Sequence, residues 1–188
     1  EDQQESFGDM GMLLILILVL VYIVMAAQFE SLRYPFIIMF SVPFAFVGLI
    51  LSLFITGETL NLMSLIGGVM LVGIVVKNGI VLVDYINLNR ERGMGISQAV
   101  ISGGKSRLRP VLMTSATTIL GMVPMAMGIG EGSELWQPMG IAIVGGLTVS
   151  TLVTLVIIPT VYCWFASREV KSYRKKHSLH LSRRTVKE

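Results

Sequence analysis

The sequence predicts an all-α membrane protein, a bundle of five transmembrane helices with a short interfacial helix. Hydrophobic residues make up 53% of the 188 residues and charged residues only 14%, whereas about 25% of the residues in soluble domains are charged. The mean hydropathy is +0.74. The apolar residues form runs long enough to cross a hydrocarbon layer of about 30 Å, and most charged residues lie between the runs. Membrane lipid is therefore an expected partner, and no nucleic-acid partner is expected.

The first two predicted spans follow directly from uncharged runs. The first covers residues 10–29 and the second covers residues 34–56, with a short polar turn between them. Pro43 lies inside the second run, and a proline there is expected to kink the helix, which neighbouring helices tolerate in a membrane. The third predicted span, residues 61–86, holds Lys77, Asn78 and Asp84 in an otherwise apolar run.

A basic segment, residues 87–109, separates the third span from the fourth. Within it, apolar and small residues recur at helical spacing after Ser97, a candidate N-cap, which predicts a short interfacial helix at about 96–103. The fourth predicted span is 110–130, with Pro110 in its first turn. The fifth is 138–165, bracketed by Trp136 and Trp164, which we interpret as interfacial anchors.

The charges between the spans predict the orientation. Residues 1–9, the loop at Glu58 and the loop at 128–138 carry acidic residues and no Lys or Arg. The three segments on the other side hold every Lys and Arg except Lys77. The positive-inside rule then places the N-terminal end outside and the C-terminal tail in the cytoplasm. We expect residues 1–9 to be the extracytoplasmic end of a preceding domain, 10–166 the transmembrane domain and 167–188 a basic cytoplasmic tail. Because the chain starts at Glu1 rather than Met, we also expect it to be a piece of a longer polypeptide.

Lys77 is the residue that most needs an explanation. A lysine at the centre of a span costs about 2.5–3.5 kcal/mol on insertion scales, and such residues pair with a partner and face a protein interior or a water path. A functional role is favoured over a structural ion pair, but both stay open. The chain carries no nucleotide-binding loop, cysteine cluster or Ser/His/Asp set, so enzyme activity, an organic cofactor and a metal site are not expected. His177 and His180 in the basic tail are interpreted as surface residues.

Four stretches, in order, resemble the C-terminal end of a resistance-nodulation-division (RND) efflux permease of the acriflavine-resistance, AcrB-like group. They read AAQFESLRYPFIIMFSVPFAFVGLIL, VGIVVKNGIVLVDY, SRLRPVLMTSATTILGMVPMAMGIGEG and GGLTVSTLVTLVIIPTVYCWF. The resemblance implies a bacterial inner-membrane permease of twelve spans, acting as a homotrimer with porter and docking domains on its outer side. It implies export of drugs or other amphiphilic compounds, driven by proton influx, with a periplasmic adaptor and an outer-membrane channel as further partners. This chain would supply the last five spans, half of the RND-type transmembrane domain, and would need the missing N-terminal half.

The resemblance also implies a proton relay, with protons as the coupling ion and no other cofactor. Two aspartates of the missing half pair with a lysine, whose position matches Lys77, with Asn78 beside it. By the RLRP and MTS motifs, the family's arginine and threonine correspond to Arg107 and Thr114. Asp84 is interpreted as a structural partner of Arg107 or Arg109 rather than as part of the relay.

Two other interpretations remain open. Protein-translocation accessories share the RND transmembrane fold, although they are not expected to carry the lysine-asparagine pair together with these motifs. The second alternative is a truncated permease remnant that inserts into the membrane but transports no substrate. The lysine-asparagine pair resembles the drug-exporting branch more than the metal-exporting one, and the sequence does not identify the substrate.

Overall fold

A computed structural model describes the backbone of residues 2–185 and the side chains of residues 8–166. Six α-helices follow one another: α1 (Asp2–Phe29), α2 (Arg33–Met39), α3 (Val42–Thr56), α4 (Leu62–Glu91), α5 (Ile96–Ala126) and α6 (Gln137–Thr185). A short 3-10 helix, Ser133–Leu135, lies in the glycine-rich loop before α6. No strand occurs within residues 2–185, so the predicted all-α fold is confirmed.

Three local features determine where α2, α3 and α4 begin or end. Asn61 caps α4 through a reciprocal pair: its side chain accepts a hydrogen bond from the Ser64 amide at 2.9 Å, and the Ser64 hydroxyl accepts one from the Asn61 amide at 2.9 Å. Gly57 ends α3 with a φ of 75°, a left-handed conformation that glycine adopts without a Cβ clash. The predicted kink near Pro43 is confirmed as an interruption at Phe40 and Ser41, which divides the second span into α2 and α3.

Four stretches of helix are long and apolar enough to cross a membrane, 8–29, 33–56, 62–91 and 137–166. They coincide with four of the five predicted spans. The remaining predicted span, 110–130, overlaps α5 as far as Ala126 and is not among these four stretches. Hydroxyl residues, two prolines and the basic residues of its first half interrupt the apolar sequence of α5. Its role as a membrane span therefore stays a prediction.

The predicted separation of an interfacial helix from this fourth span is wrong. Residues 96–103 are the first turns of α5, which continues without a break to Ala126 and contains Pro110 in its interior. The N-cap is Gly95 and not Ser97. A proline inside a helix removes one backbone hydrogen bond, and neighbouring helices can compensate for this in a membrane protein. Packing of α5 along α4 and α6 supplies such neighbours.

Helix α6 is the centre of the bundle and packs against α3, α4 and α5, whereas α1 remains mostly exposed. Close contacts give the relative directions. Gly48 lies opposite Val149, whereas Ser52 lies opposite Gly145, so α3 and α6 are antiparallel. Gly67 lies opposite Met139, and Gly79 lies opposite Ile158, so α4 and α6 are parallel. Consequently α3 and α4 run in opposite directions, as successive spans would.

Small residues make the closest of these contacts possible. A Cβ atom on Gly48 would lie 2.7 Å from the Cβ of Val149, and one on Gly145 would overlap Ser52. The single hydroxyl hydrogen of Ser52 is shared between the Leu49 carbonyl of its own helix at 2.8 Å and the Ile141 carbonyl of α6 at 3.2 Å, across the same interface. Close approach through small residues is typical of membrane helix pairs.

Candidate functional site

Lys77 lies near the middle of α4 on a face that α5 and α6 leave open. Its side chain is exposed, while its neighbours Val75 and Val76 are buried in the bundle. Among the residues whose side chains the structure describes, none forms a hydrogen bond or an ion pair with Lys77. A lysine at this depth of a membrane span requires a counter-charge or water, and the described side chains supply no counter-charge to Lys77.

Asn78, the next residue, points into the bundle instead. It is only 8% exposed, and its Nδ2 donates to the hydroxyl of Ser115 on α5 at 3.4 Å. The hydroxyl of Thr151 on α6 donates to the same Ser115 oxygen at 3.0 Å. Three helices are thus joined by one chain of buried polar side chains, and only Asn78 in that chain was singled out from the sequence.

Thr114 lies directly before Ser115 and faces outward. Its side chain is exposed, and its hydroxyl donates to the Pro110 carbonyl of the same helix at 2.9 Å. The contact between Asn78 and Ser115 brings the segments around Lys77 and Thr114 together across the interface of α4 and α5. No hydrogen bond joins the side chains of Lys77 and Thr114 to each other among the described residues.

Arg107 lies about two helical turns before Thr114 and packs differently from the expected ion pair. Its guanidinium group lies 4.5 Å from the ring centroid of Tyr85, a cation–π contact, and its Nε is buried without a hydrogen-bond partner among the described residues. Asp84 is exposed and forms no ion pair with Arg107 or Arg109 in the described part of the chain. The predicted pairing of Asp84 is therefore wrong for this structure, because Arg107 packs on the adjacent aromatic ring.

A second polar cluster, which the sequence did not reveal, lies where α2, α4 and α6 meet. The Tyr162 hydroxyl donates to Oδ1 of Asn87 at 2.6 Å and accepts from Arg90 at 3.5 Å. The Tyr162 ring stacks on Tyr34 of α2, with centroids 5.8 Å apart. Tyr162 is only 1% exposed. A tyrosine whose ring is buried and whose hydroxyl is paired typically ties helices together, so we assign this cluster to packing.

Both tryptophans proposed as anchors have exposed side chains, as an interfacial position requires. The part of the chain whose side chains are described holds no group of three or more metal-ligating residues. His177 and His180 lie outside that part, as does the basic tail from residue 167.

A bundle of long apolar helices, with a lysine in the middle of one of them that has no partner among the described side chains, is typical of an integral membrane protein. The comparisons with known proteins identify the family. Residues 1–166 match the model of the AcrB/AcrD/AcrF family, and the chain belongs to that family. The resemblance to RND efflux permeases found in the motifs is thereby confirmed.

Individual relatives are consistent with this family. The chain is 40% identical over 162 residues to the swarming motility protein SwrC of Bacillus subtilis (strain 168), a match that covers 86% of this chain and 15% of SwrC. Two crystal forms of a heavy metal efflux pump share the fold. Form I has a TM-score of 0.78 at 33% identity, and the match covers 86% of this chain and 16% of the pump. Form II has a TM-score of 0.73 at 33% identity, with coverage of 88% and 16%. The chain thus spans about 15% of the length of the curated relative it matches.

Proposed function

We propose that this chain is the C-terminal transmembrane part of a proton-driven exporter and supplies one side of its proton relay. Lys77, Asn78, Thr114 and Arg107 form that side, and carboxylates of the missing half form the other. The exporter acts in the bacterial inner membrane as a homotrimer, with an adaptor and an outer-membrane channel where the cell has an outer membrane. The N-terminal end of the chain faces outward and its C-terminal tail faces the cytoplasm.

The observation that carries the proposal is the exposure of Lys77 in the middle of an apolar helix. An ammonium group that finds no partner in the described bundle carries a cost, which a counter-charge from another helix removes. Protonation of such carboxylates weakens the pairing and releases the lysine to another partner. Two arrangements of one ion-pair network are enough to bias a two-state rearrangement of the helices.

Two glycines support the presence of a further helix on this face. Gly73 lies one turn before Lys77, and Gly121 lies two turns after Thr114, so both share the open face with these residues. A Cβ atom on either glycine would meet nothing within 4 Å in the described bundle. Small residues on a membrane helix permit close approach of a neighbour. The open face is therefore suited to a helix that passes close to Lys77.

Lys77→Met in the intact permease tests the proposal. Methionine keeps most of the volume and removes the ammonium group, so export should fall to background while membrane abundance stays normal. Lys77→Arg should also fail, since a rigid planar guanidinium group cannot replace a flexible point charge that changes partners. Thr114→Ala should retain part of the activity. Lys105→Met is the matched control, because Lys105 is an exposed lysine on the basic first half of α5.

Export is measured as the rate of substrate efflux divided by the amount of permease in the membrane. Wild-type export by Lys77→Met at wild-type abundance would show that Lys77 is a structural residue and would refute the proposal.

The substrate class needs a separate comparison. The lysine-asparagine pair supports drugs or other amphiphilic compounds, whereas the two solved structures that share the fold are those of a heavy metal efflux pump. Cells that express the permease should tolerate amphiphilic dyes better and metal salts no better than cells that express Lys77→Met. Protection against the metal salts alone would assign the chain to metal export.

A further inference from the structure

The hydroxyl groups of α5 and α6 behave in two different ways. Hydroxyls in a helix usually bond to a carbonyl three or four residues earlier in the same helix. Six of the twelve Ser and Thr side chains described on these two helices do so, namely Thr114, Thr117, Thr118, Thr148, Ser150 and Thr160. Ser115 and Thr151 instead meet each other across the helix interface, and Ser115 also accepts the bond from Asn78. Sequence alone does not separate these two from the others.

We propose that Ser115 and Thr151 are positioning residues: Thr151 on α6 fixes Ser115 of α5, Ser115 in turn holds Asn78 of α4, and the three-helix register so defined holds Lys77 and Thr114 at matching depths. The inference rests on the proposed relay and names residues that lie outside it. Each end of the buried contact is the chain neighbour of an exposed relay residue. Asn78 follows Lys77, and Ser115 follows Thr114, so the contact between the buried residues sets the relative position of the exposed ones.

The geometry makes this contact selective. Ser115 is 2% exposed and Thr151 is 5% exposed, so water does not compete for their hydroxyls. The Ser115 oxygen has two acceptor sites, and the bonds from Asn78 and Thr151 occupy both. A sliding of α5 by a single residue along α4 would leave the Asn78 amide buried without that partner. Buried polar groups without partners are costly, so the contact favours one register over its neighbours.

Thr151→Val is the test, because valine keeps the shape of threonine and removes the hydroxyl group. Thr151→Ser keeps the hydroxyl group and should therefore retain export activity. Thr148→Val is the matched control, since Thr148 lies one turn earlier on the same helix and its hydroxyl donates to the Val144 carbonyl at 2.7 Å. All variants are made in the intact permease, reconstituted in liposomes, and assayed for export of an amphiphilic dye under an imposed proton gradient.

We expect Thr151→Val to lower the maximal export rate per molecule by about threefold to tenfold, the factor that corresponds to loss of one ordinary hydrogen bond. The KM for the dye should not change, because the register of α4 and α5 positions the residues of the proposed relay and not residues that bind the dye. Thr151→Ser and Thr148→Val should retain nearly wild-type rates. Ser115→Ala combined with Thr151→Val should be no worse than Ser115→Ala alone, because Ser115→Ala already removes the bond from Thr151 together with the bond from Asn78.

The results separate this inference from the proposed function. If Lys77→Met abolishes export but Thr151→Val matches Thr148→Val per molecule, the register inference is wrong and the relay stands. A loss of export in Thr151→Val that is fully accounted for by lost protein also refutes it, since the contact would then serve stability alone. If Lys77→Met exports normally, the relay itself fails and the inference fails with it.

Discussion

The contact between α3 and α6 at Gly145 permits a quantitative test of the packing. In Gly145→Ala, the added methyl group would overlap Ser52 and would lie 3.1 Å from the Gly48 carbonyl oxygen. The two helices must move apart, which also weakens the bond from Ser52 to the Ile141 carbonyl. Gly11→Ala is the control, because Gly11 is exposed in α1 and a Cβ there meets nothing within 4 Å.

Three contributions determine how strongly Gly145→Ala is expected to destabilise the protein. Overpacking of a tight interface costs about 1–3 kcal/mol. A hydrogen bond between membrane helices contributes about 0.6 kcal/mol. Replacement of glycine by alanine in a helix stabilises the helix by about 1 kcal/mol. The net destabilisation at Gly145 is then about 0.6–2.6 kcal/mol, whereas Gly11→Ala should be neutral or should stabilise by up to about 1 kcal/mol.

Hydrogen exchange of the intact permease in lipid nanodiscs measures this difference locally. Where reclosing is faster than exchange, each 1.4 kcal/mol changes the exchange rate tenfold, so backbone amides of α3 and α6 near the contact should exchange about 3- to 70-fold faster in Gly145→Ala. Adding Ser52→Gly should restore part of the protection, since it removes the atoms that the new methyl group meets but also the bond to the Ile141 carbonyl. Equal exchange in Gly145→Ala and Gly11→Ala would refute the assigned packing of α3 on α6.

Two further predictions concern the orientation and the second polar cluster. A reporter fused after Glu188 should be active in the cytoplasm, and one inserted near Gly132 should report the outside; the opposite pattern would overturn the orientation derived from the loop charges. Tyr162→Phe removes the buried donor to Asn87 and should lower the temperature of heat inactivation, with a cost of about 1–3 kcal/mol. Tyr22→Phe, whose hydroxyl donates to the Leu32 carbonyl in an exposed setting, should have less effect, and equal effects of both variants would argue against a structural role of the cluster.

The helices were predictable because membranes impose a simple rule on sequence. A span needs about 20 apolar residues, and charged residues accumulate where the chain leaves the bilayer. The turn before Arg33 and the loop at Glu58 mark such points, and the structure ends helices at both. Pro43 was informative for a different reason. Proline has no backbone N–H to donate, and the helix is interrupted just before this residue.

The features that were predicted wrongly or missed have a common physical cause, because each depends on contacts between residues that are distant in the sequence. Pro110 suggested a helix start, yet packing of α5 along two neighbours keeps the helix continuous through it. Asp84 was expected to attract Arg107, but the ring of Tyr85 lies under that guanidinium group instead. Ser115 is one hydroxyl residue among several in α5, and only the positions of α4 and α6 distinguish it from its neighbours.

If the proposed relay is right, neighbouring residues around Lys77 have different tasks, because some hold the helices together and others take part in transport. Successive residues of a helix point about 100° apart, so of two neighbours one can be buried while the other stays open to a further partner. Asn78 and Ser115 face inward and satisfy each other in the described bundle, whereas Lys77 and Thr114 face the open side. A charge that must change partners during transport cannot also hold the bundle together, because each change would then loosen the fold. In the proposed relay, Asn78 contributes by holding α4 against Ser115 of α5, whereas Lys77 and Thr114 remain free to respond to protonation.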